Sequence, residues 1–332
     1  MTATRMRNLF AILAVCACAG GSASSGGASG SGGAAMGSSP AEIMIPGQRV
    51  FPESLTSSAD GRIFIGSISN RRVYVVKPGG ATAENWTEAD SDATRGVFGV
   101  FADDKSKTLW ACFASVMPQA TPSALAAYDL QTGKLEASYP LPTSGAFCND
   151  IAVGADGSTY VTDSNNMEVD RLKKGDKQLG VWAGNGGFGP KGGIADGIAI
   201  IGRRMFVNAL RTNKVFAVDI GADGSAGPII DIKLDRPIDH PDGMRSYGKQ
   251  LLLIESGGAG RLARLQVAGG SGKLTTLKEG YPGGPVSVTT IGTTGYVLEG
   301  QLDALFKPDP NAPPKPFHAT AVEVGPRRRP PS

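Results

Sequence analysis

Short apolar runs separated by polar turns recur along most of the chain. Residues 51–55 lead through Ala59, Asp60 and Gly61 to the run 62–66. Residues 148–153 lead through Ala155, Asp156 and Gly157 to 159–162. Residues 196–200 lead through Gly202 and Arg203 to 205–207, and 242–244 lead through Gly248 and Lys249 to 251–254. Residues 285–288 lead through Gly292 and Thr293 to 296–298, and a weaker copy joins 97–101 to 109–112. The copies start at 53, 97, 149, 196, 242 and 285, at intervals of 43 to 52. Each copy adds a third run, such as 73–76 or 215–218, and most add a fourth, such as 179–182 or 274–277. Runs this short, bounded by Gly, Asp and Pro, read as strands. A period of about 40–50 residues with several short strands per unit is the pattern of propeller blades. The predicted fold class is all-β, a six-bladed β-propeller of four-stranded blades. No stretch carries a helical period.

A propeller has to close its ring. Residues 41–46 form a lone strand before the first copy and 318–324 a lone strand after the last. They are expected to pair in the sixth blade, with the N-terminal strand outermost and 308–316 left as a Pro-rich surface loop.

Aligning the copies on their hairpin turns isolates one position. Glu53 lies seven residues before Asp60 and Asn149 seven before Asp156; Asp196 lies seven before Arg203 and Asp242 seven before Lys249. All four fall at the start of an innermost strand, and innermost strands surround the central channel. Three carboxylates and an amide oxygen converging there form a hard-oxygen set suited to Ca²⁺. The Asp-Gly pairs at 60–61 and 156–157 sit between strands and read as turns. Those at 196–197 and 242–243 precede an apolar strand and do not. Blades 2 and 6 offer Val97 and Pro285 there, so the ring is polar on one side only.

With these residues in place the chain resembles the gluconolactonase/senescence-marker-protein (regucalcin) family of calcium-dependent six-bladed propellers. The matching pieces are Phe-Pro-Glu-Ser (51–54), the stretch 148–163, Asp-Gly-Ile-Ala (196–199) and Pro-Asp-Gly-Met (241–244). The resemblance covers roughly residues 41–325. It implies that Glu53, Asn149, Asp196 and Asp242 hold one divalent cation and that Asp242 supplies the base in lactone hydrolysis. Asp196 is a departure, because family hydrolases usually carry Asn there. The expected activity is that of an exported, metal-dependent lactone or ester hydrolase, working as a monomer on a small molecule. The alternative is a non-catalytic propeller that binds a small ligand or a partner protein. Asp150, His240, Asp163, Glu255 and Glu299 are candidates for contacts behind the metal or with substrate.

Composition narrows the remaining choices. Hydrophobic residues make up 41% of the 332-residue chain and charged residues 19%, which excludes a disordered protein. There are 47 glycines, suiting a turn-rich β fold. His240 and His318 are the two histidines, so a His₃ zinc site is excluded. The net charge of +3 depends on Arg5 and Arg7 and on Arg327, Arg328 and Arg329; the body without them carries −2. No nucleic-acid partner is indicated.

The N-terminal 1–19 read as an export signal: Arg5 and Arg7, the apolar run 9–15, then small residues. Cleavage after Ala19 would release a periplasmic or secreted protein. Lipidation at Cys16 or Cys18 would tether it, and that anchor would be its only link to a membrane. Residues 20–40 form a Gly/Ser-rich linker, 41–325 the propeller and 326–332 a basic, Pro-containing tail. Cys112 and Cys148 remain, either as a disulfide or as two buried thiols. The stretch 184–189 formally reads G-x-G-x-x-G, but it runs into Pro190 rather than a helix and is read as a loop. No G-x-S-x-G elbow is present.

Overall fold

The computed structural model describes residues 39–115 and 122–326. The 1–19 signal, all but the last two residues of the linker, and the tail beyond residue 326 lie outside the described residues.

Six sheets follow one another along the chain. Their first strands are Pro52–Ser57, Gly96–Asp103, Cys148–Val153, Ala195–Ile201, Pro241–Tyr247 and Pro285–Ile291. Each first strand touches the first strand of the next sheet, and the sixth touches the first. The result is a closed ring of six blades, each stepping outward antiparallel from its innermost strand. This is a six-bladed β-propeller.

Face-to-face blade packing explains the apolar runs. A strand inside the ring is buried on both faces, so it cannot alternate apolar and polar residues. Gln250–Glu255 is buried at every position, whereas the outer strand Leu135–Pro140 is largely exposed. The main apolar clusters lie between neighbouring blades. Phe64, Val73 and Val75 of blade 1 meet Leu109 and Ala111 of blade 2, and Ala199 and Phe206 of blade 4 meet Met244 and Leu251 of blade 5.

The ring closes in blade 6, where Glu42–Ile45 pairs with Phe317–Glu323 at the outer edge. Two details depart from the sequence reading. Blade 5 has five strands, because Lys233–Leu234 runs parallel to its outer strand Ser271–Glu279. That segment belongs to the connection from blade 4, and it covers an edge that would otherwise present unpaired backbone groups. A short helix, Leu302–Phe306, follows the second strand of blade 6. It is too short for a helical period to show in the sequence.

Cys112 and Cys148 are a disulfide with Cα atoms 5.2 Å apart. It ties the second strand of blade 2 to the first strand of blade 3. Closing a loop of that length stabilises a fold by about 2–4 kcal/mol. Cys148 also directly precedes Asn149, so the bond pins one of the candidate ligands.

Candidate metal centre

Every innermost strand breaks its ladder near its start. The register shifts between Pro52 and Leu55, Val97 and Val100, Cys148 and Ile151, Ala195 and Ile198, Pro241 and Met244, and Pro285 and Ser287. Such bulges free residues from the ladder and re-aim their side chains. The freed residues are Glu53 and Ser54, Phe98 and Gly99, Asn149 and Asp150, Asp196 and Gly197, Asp242 and Gly243, and Val286. The positions in blades 2 and 6 are therefore Phe98 and Val286, not Val97 and Pro285. Val286 lies seven residues before Thr293, as Asp196 lies before Arg203, so the hairpin count itself gives Val286; in blade 2 the turn between Asp103 and Thr108 differs in length from the others, and the count fails there.

The glycines of the later Asp-Gly pairs are required by close approach, not by a turn. A Cβ on Gly197 would lie 2.5 Å from the Asp242 carbonyl oxygen, and one on Gly243 would lie 2.6 Å from that of Val286. Second-strand side chains satisfy the backbone that the bulges leave unpaired. Thr162 Oγ1 accepts from the Asp150 amide at 3.0 Å and donates to the Asp196 carbonyl at 2.7 Å. Asn208, in the same register of blade 4, accepts from the Gly197 amide at 3.1 Å and donates to the Asp242 carbonyl at 2.6 Å. Each therefore joins its own bulge to that of the next blade.

Oxygens of Glu53, Asp196 and Asp242 lie within 4.8 Å of one another. Ligands at about 2.3–2.6 Å from a shared Ca²⁺ can be up to about 5 Å apart across it, so this spacing fits such an ion. The three side chains are buried. Among the described residues, none is ion-paired with a Lys, Arg or His. Burial first, and then the neighbouring negative charges, hold Glu53 and Asp196 well above the ordinary carboxylate range. Burial pushes Asp242 up to about 7, against the opposing hydrogen bonds of the Gly243 amide and Ser256.

Asn149 completes the set. Its Nδ2 donates to Ser164 Oγ at 3.0 Å, and that hydroxyl donates onward to the Ala195 carbonyl at 2.7 Å. The hydroxyl proton is thus committed, so the amide has to present its NH₂ group to Ser164. Asn149 Oδ1 is left buried with no hydrogen-bond partner. An orphaned amide oxygen beside three carboxylates, with no Cys or His in the group, fits a hard divalent cation such as Ca²⁺ and not zinc.

One residue beyond Asn149, on the same strand, lies a fourth buried carboxylate. Asp150 is bonded through both oxygens to Arg245 Nη1, at 2.7 and 3.0 Å. Arg245 Nη2 reaches Ser54 Oγ at 3.2 Å, the Leu55 carbonyl at 3.4 Å and the Val100 carbonyl at 3.2 Å. A single guanidinium from blade 5 thereby links blades 1, 2 and 3 across the channel. Sequence reading missed Arg245. Its only signal is that it is the one Lys or Arg in the six innermost strands, three residues after Asp242.

The other candidates make their hydrogen bonds elsewhere. Asp163 Oδ1 accepts from the amides of Phe147 and Asn165 at 3.0 and 3.1 Å. Glu255 is held by Arg236 and accepts from the Asp239 amide at 3.2 Å. Glu299 accepts from the Gly283 amide and pairs with His318 Nε2 at 2.9 Å. All three are buried at the end of a second strand, and they brace the loops leading into the innermost strands. His240 is half exposed, and its Nδ1 pairs with Asp239 at 2.7 Å.

Solved structures share this architecture. A gluconolactonase from Xanthomonas campestris superposes with a TM-score of 0.60 at 15% identity, covering 85% of this chain and 89% of that one. A luciferin-regenerating enzyme gives 0.63 at 13% identity, covering 86% and 95%. The fold is that of the gluconolactonase-like propellers. Virginiamycin B lyase from Staphylococcus aureus also superposes, with a TM-score of 0.57 at 17% identity over 78% of this chain and 80% of that one. No family model and no curated protein matches the sequence.

Proposed function

We propose that this protein is a Ca²⁺-dependent hydrolase of lactones or related small esters. The observation that carries the reading is the group of three buried carboxylates within 4.8 Å, with no Lys, Arg or His among the described residues paired to them, beside a buried amide oxygen with no hydrogen-bond partner. Glu53, Asn149, Asp196 and Asp242 would hold the ion. When bound, it would polarise the lactone carbonyl and stabilise negative charge on that oxygen. Asp242 takes the proton of the attacking water. The Gly243 amide, 2.9 Å from Asp242 Oδ1, fixes the carboxylate for that transfer. Glu53 and Asp196, ionised when the ion is bound, would balance its charge. Gluconolactone chemistry belongs to the Xanthomonas campestris neighbour; its extension here rests on the metal-centre geometry and the matching motifs.

The proposal includes export. The 1–19 segment is taken as a signal, ending in release or in a lipid anchor at Cys16 or Cys18. The Cys112–Cys148 disulfide supports an oxidising compartment.

Two substitutions separate metal holding from chemistry. Asp242→Asn keeps an oxygen and removes the base; Asp196→Asn keeps an oxygen and removes one negative charge. Asp242→Asn should lose about 10²-fold or more in kcat while calorimetry still detects Ca²⁺ binding. Asp196→Asn should keep turnover and bind Ca²⁺ more weakly. The reverse pattern would assign the base to Asp196. Turnover unaffected by either substitution would replace the hydrolase with a binding propeller.

A further inference from the structure

Six of the apolar clusters of the described residues each lie between two neighbouring blades; a seventh does not. It joins Ile68 of blade 1 and Phe98 and Ala114 of blade 2, with Phe147 of blade 3 and Leu302 and Leu305 of blade 6 packed against it. Residues from four blades can meet only over the ring, at the mouth where the innermost strands begin. Phe98 is the decisive member. It occupies the bulge register of Glu53, Asn149, Asp196 and Asp242, so blade 2 places an aromatic ring where four other blades place an oxygen. That ring meets Phe147 edge to face at 4.6 Å, and Phe147 lies two residues before Asn149. The helix Leu302–Phe306 reaches from blade 6 across blade 1 to this cluster. Its loop is clamped by Gln301, whose amide bonds the Lys315 carbonyl and amide at 2.9 and 2.8 Å. Phe147, Leu302 and Leu305 remain half-buried, so apolar surface stays open at the rim.

We infer that the substrate is a lactone or ester carrying an alkyl or aryl group, not a polyhydroxylated sugar lactone, with Phe98 and the Leu302–Phe306 helix selecting that group. The inference rests on the hydrolase reading for the reacting end of the substrate. A sugar lactone would bring several hydroxyls against a wall without hydrogen-bonding side chains, and each unpaired buried hydroxyl is costly. An alkyl chain gains on transfer from water to the same wall with each methylene buried.

The test uses the intact Ca²⁺-loaded protein with two lactones and their non-hydrolysable lactams. δ-Decalactone should be hydrolysed with kcat/KM about 10²-fold above that for δ-gluconolactone. Calorimetry should detect 6-pentylpiperidin-2-one and give no heat with gluconolactam. Phe98→Asn should reduce the decalactone preference about tenfold without changing Ca²⁺ affinity. Leu302→Asn, on a half-buried helix, should do the same if Phe98→Asn fails to fold. Preference for δ-gluconolactone, or binding of neither lactam, overturns the inference. If the alkyl lactam binds and neither lactone turns over, the apolar wall stands as a binding surface and the hydrolase reading falls.

Discussion

Two sets of buried carboxylates lie one register position apart on the innermost strands, Asp150 on blade 3 and Glu53, Asp196 and Asp242 on blades 1, 4 and 5, and the fold settles their charge in opposite ways. Asp150 is matched by a cation of the chain, Arg245, at 2.7 Å. Glu53, Asp196 and Asp242 have no such partner among the described residues, although Arg245 is near enough to favour the charged form of Glu53. Moving a charge out of water costs several kcal/mol unless it is paired. The Asp150–Arg245 pair shows that this ring can accommodate a guanidinium where one is needed for structure. Three acids left unpaired one register position away indicate a place kept for a cation from solution. The first set should therefore behave as structure and the second as a ligand-dependent site.

Breaking the Asp150–Arg245 pair tests the contrast most severely. Arg245→Met strands Asp150 in the channel and removes the bonds to blades 1 and 2. Loss of one partner of a buried pair costs about 3–5 kcal/mol, a fall of roughly 10 °C in melting temperature for a domain this large. Added Ca²⁺ should not restore it. The double variant Arg245→Met with Asp150→Leu should recover most of the loss, because the unpaired charge is gone. A single variant that melts with the wild type would show that the pair is incidental.

This contrast was only half legible in the sequence. The blade repeat, the ring closure and the shared register of Glu53, Asn149, Asp196 and Asp242 follow from hairpin spacing, because a hairpin fixes the register of its two strands. The bulges were hidden, since an extra residue in a strand leaves the apolar pattern almost unchanged. Val97 stood in for Phe98 because blade 2 turns between Asp103 and Thr108, over a loop of different length from those of the other blades, whereas Pro285 was one residue off a count that gives Val286. Arg245 was hidden because its partners lie on other blades, 95 positions away for Asp150 and 191 for Ser54. Asp163, Glu255 and Glu299 were recognisable as a repeated position, but the sequence could not show that loop amides occupy them. The seventh cluster draws on four blades, so no local pattern could reveal it.

The second set can be sharpened by pH. Glu53, Asp196 and Asp242 have folded-state pKa values above their unfolded ones, chiefly through burial. Between roughly pH 4, the unfolded carboxylate value, and the raised folded values, the folded metal-free protein holds more protons than the unfolded chain. Its stability is therefore fullest at low pH in that window and is lost as pH rises. In EDTA the protein should melt lower at pH 8 than at pH 5, by a stability difference on the order of 2–3 kcal/mol. Saturating Ca²⁺ requires the ionised ligands, so it should cancel or reverse the slope. Metal-free protein that is more stable at pH 8 than at pH 5 would contradict an uncompensated acid cluster.

Another buried acid shows what happens without either remedy. Asp170, on the third strand of blade 3, is fully buried and neither of its carboxylate oxygens has a hydrogen-bond partner. Burial first, then the charges of Asp163 and Glu168, push it up to about 8. It therefore remains protonated at neutral pH instead of being paired. Its contribution has the same sign as that of the cluster, with stability lost as pH rises through about 8. Among the described residues Asp170 belongs to no group of three carboxylates close enough to share an ion, so Ca²⁺ should not change that slope. Asp170→Leu replaces an unpartnered acid with an apolar side chain of similar size and removes the titration. Melting in saturating Ca²⁺ should show the variant gaining on the wild type as pH rises from about 5 to 8, by up to about 1.4 kcal/mol per pH unit, because only the wild type has to hold there a proton that its unfolded chain releases. A loss as large as that of Arg245→Met would mean that Asp170 has a partner the fold depends on, and that isolation does not distinguish it from the paired Asp150.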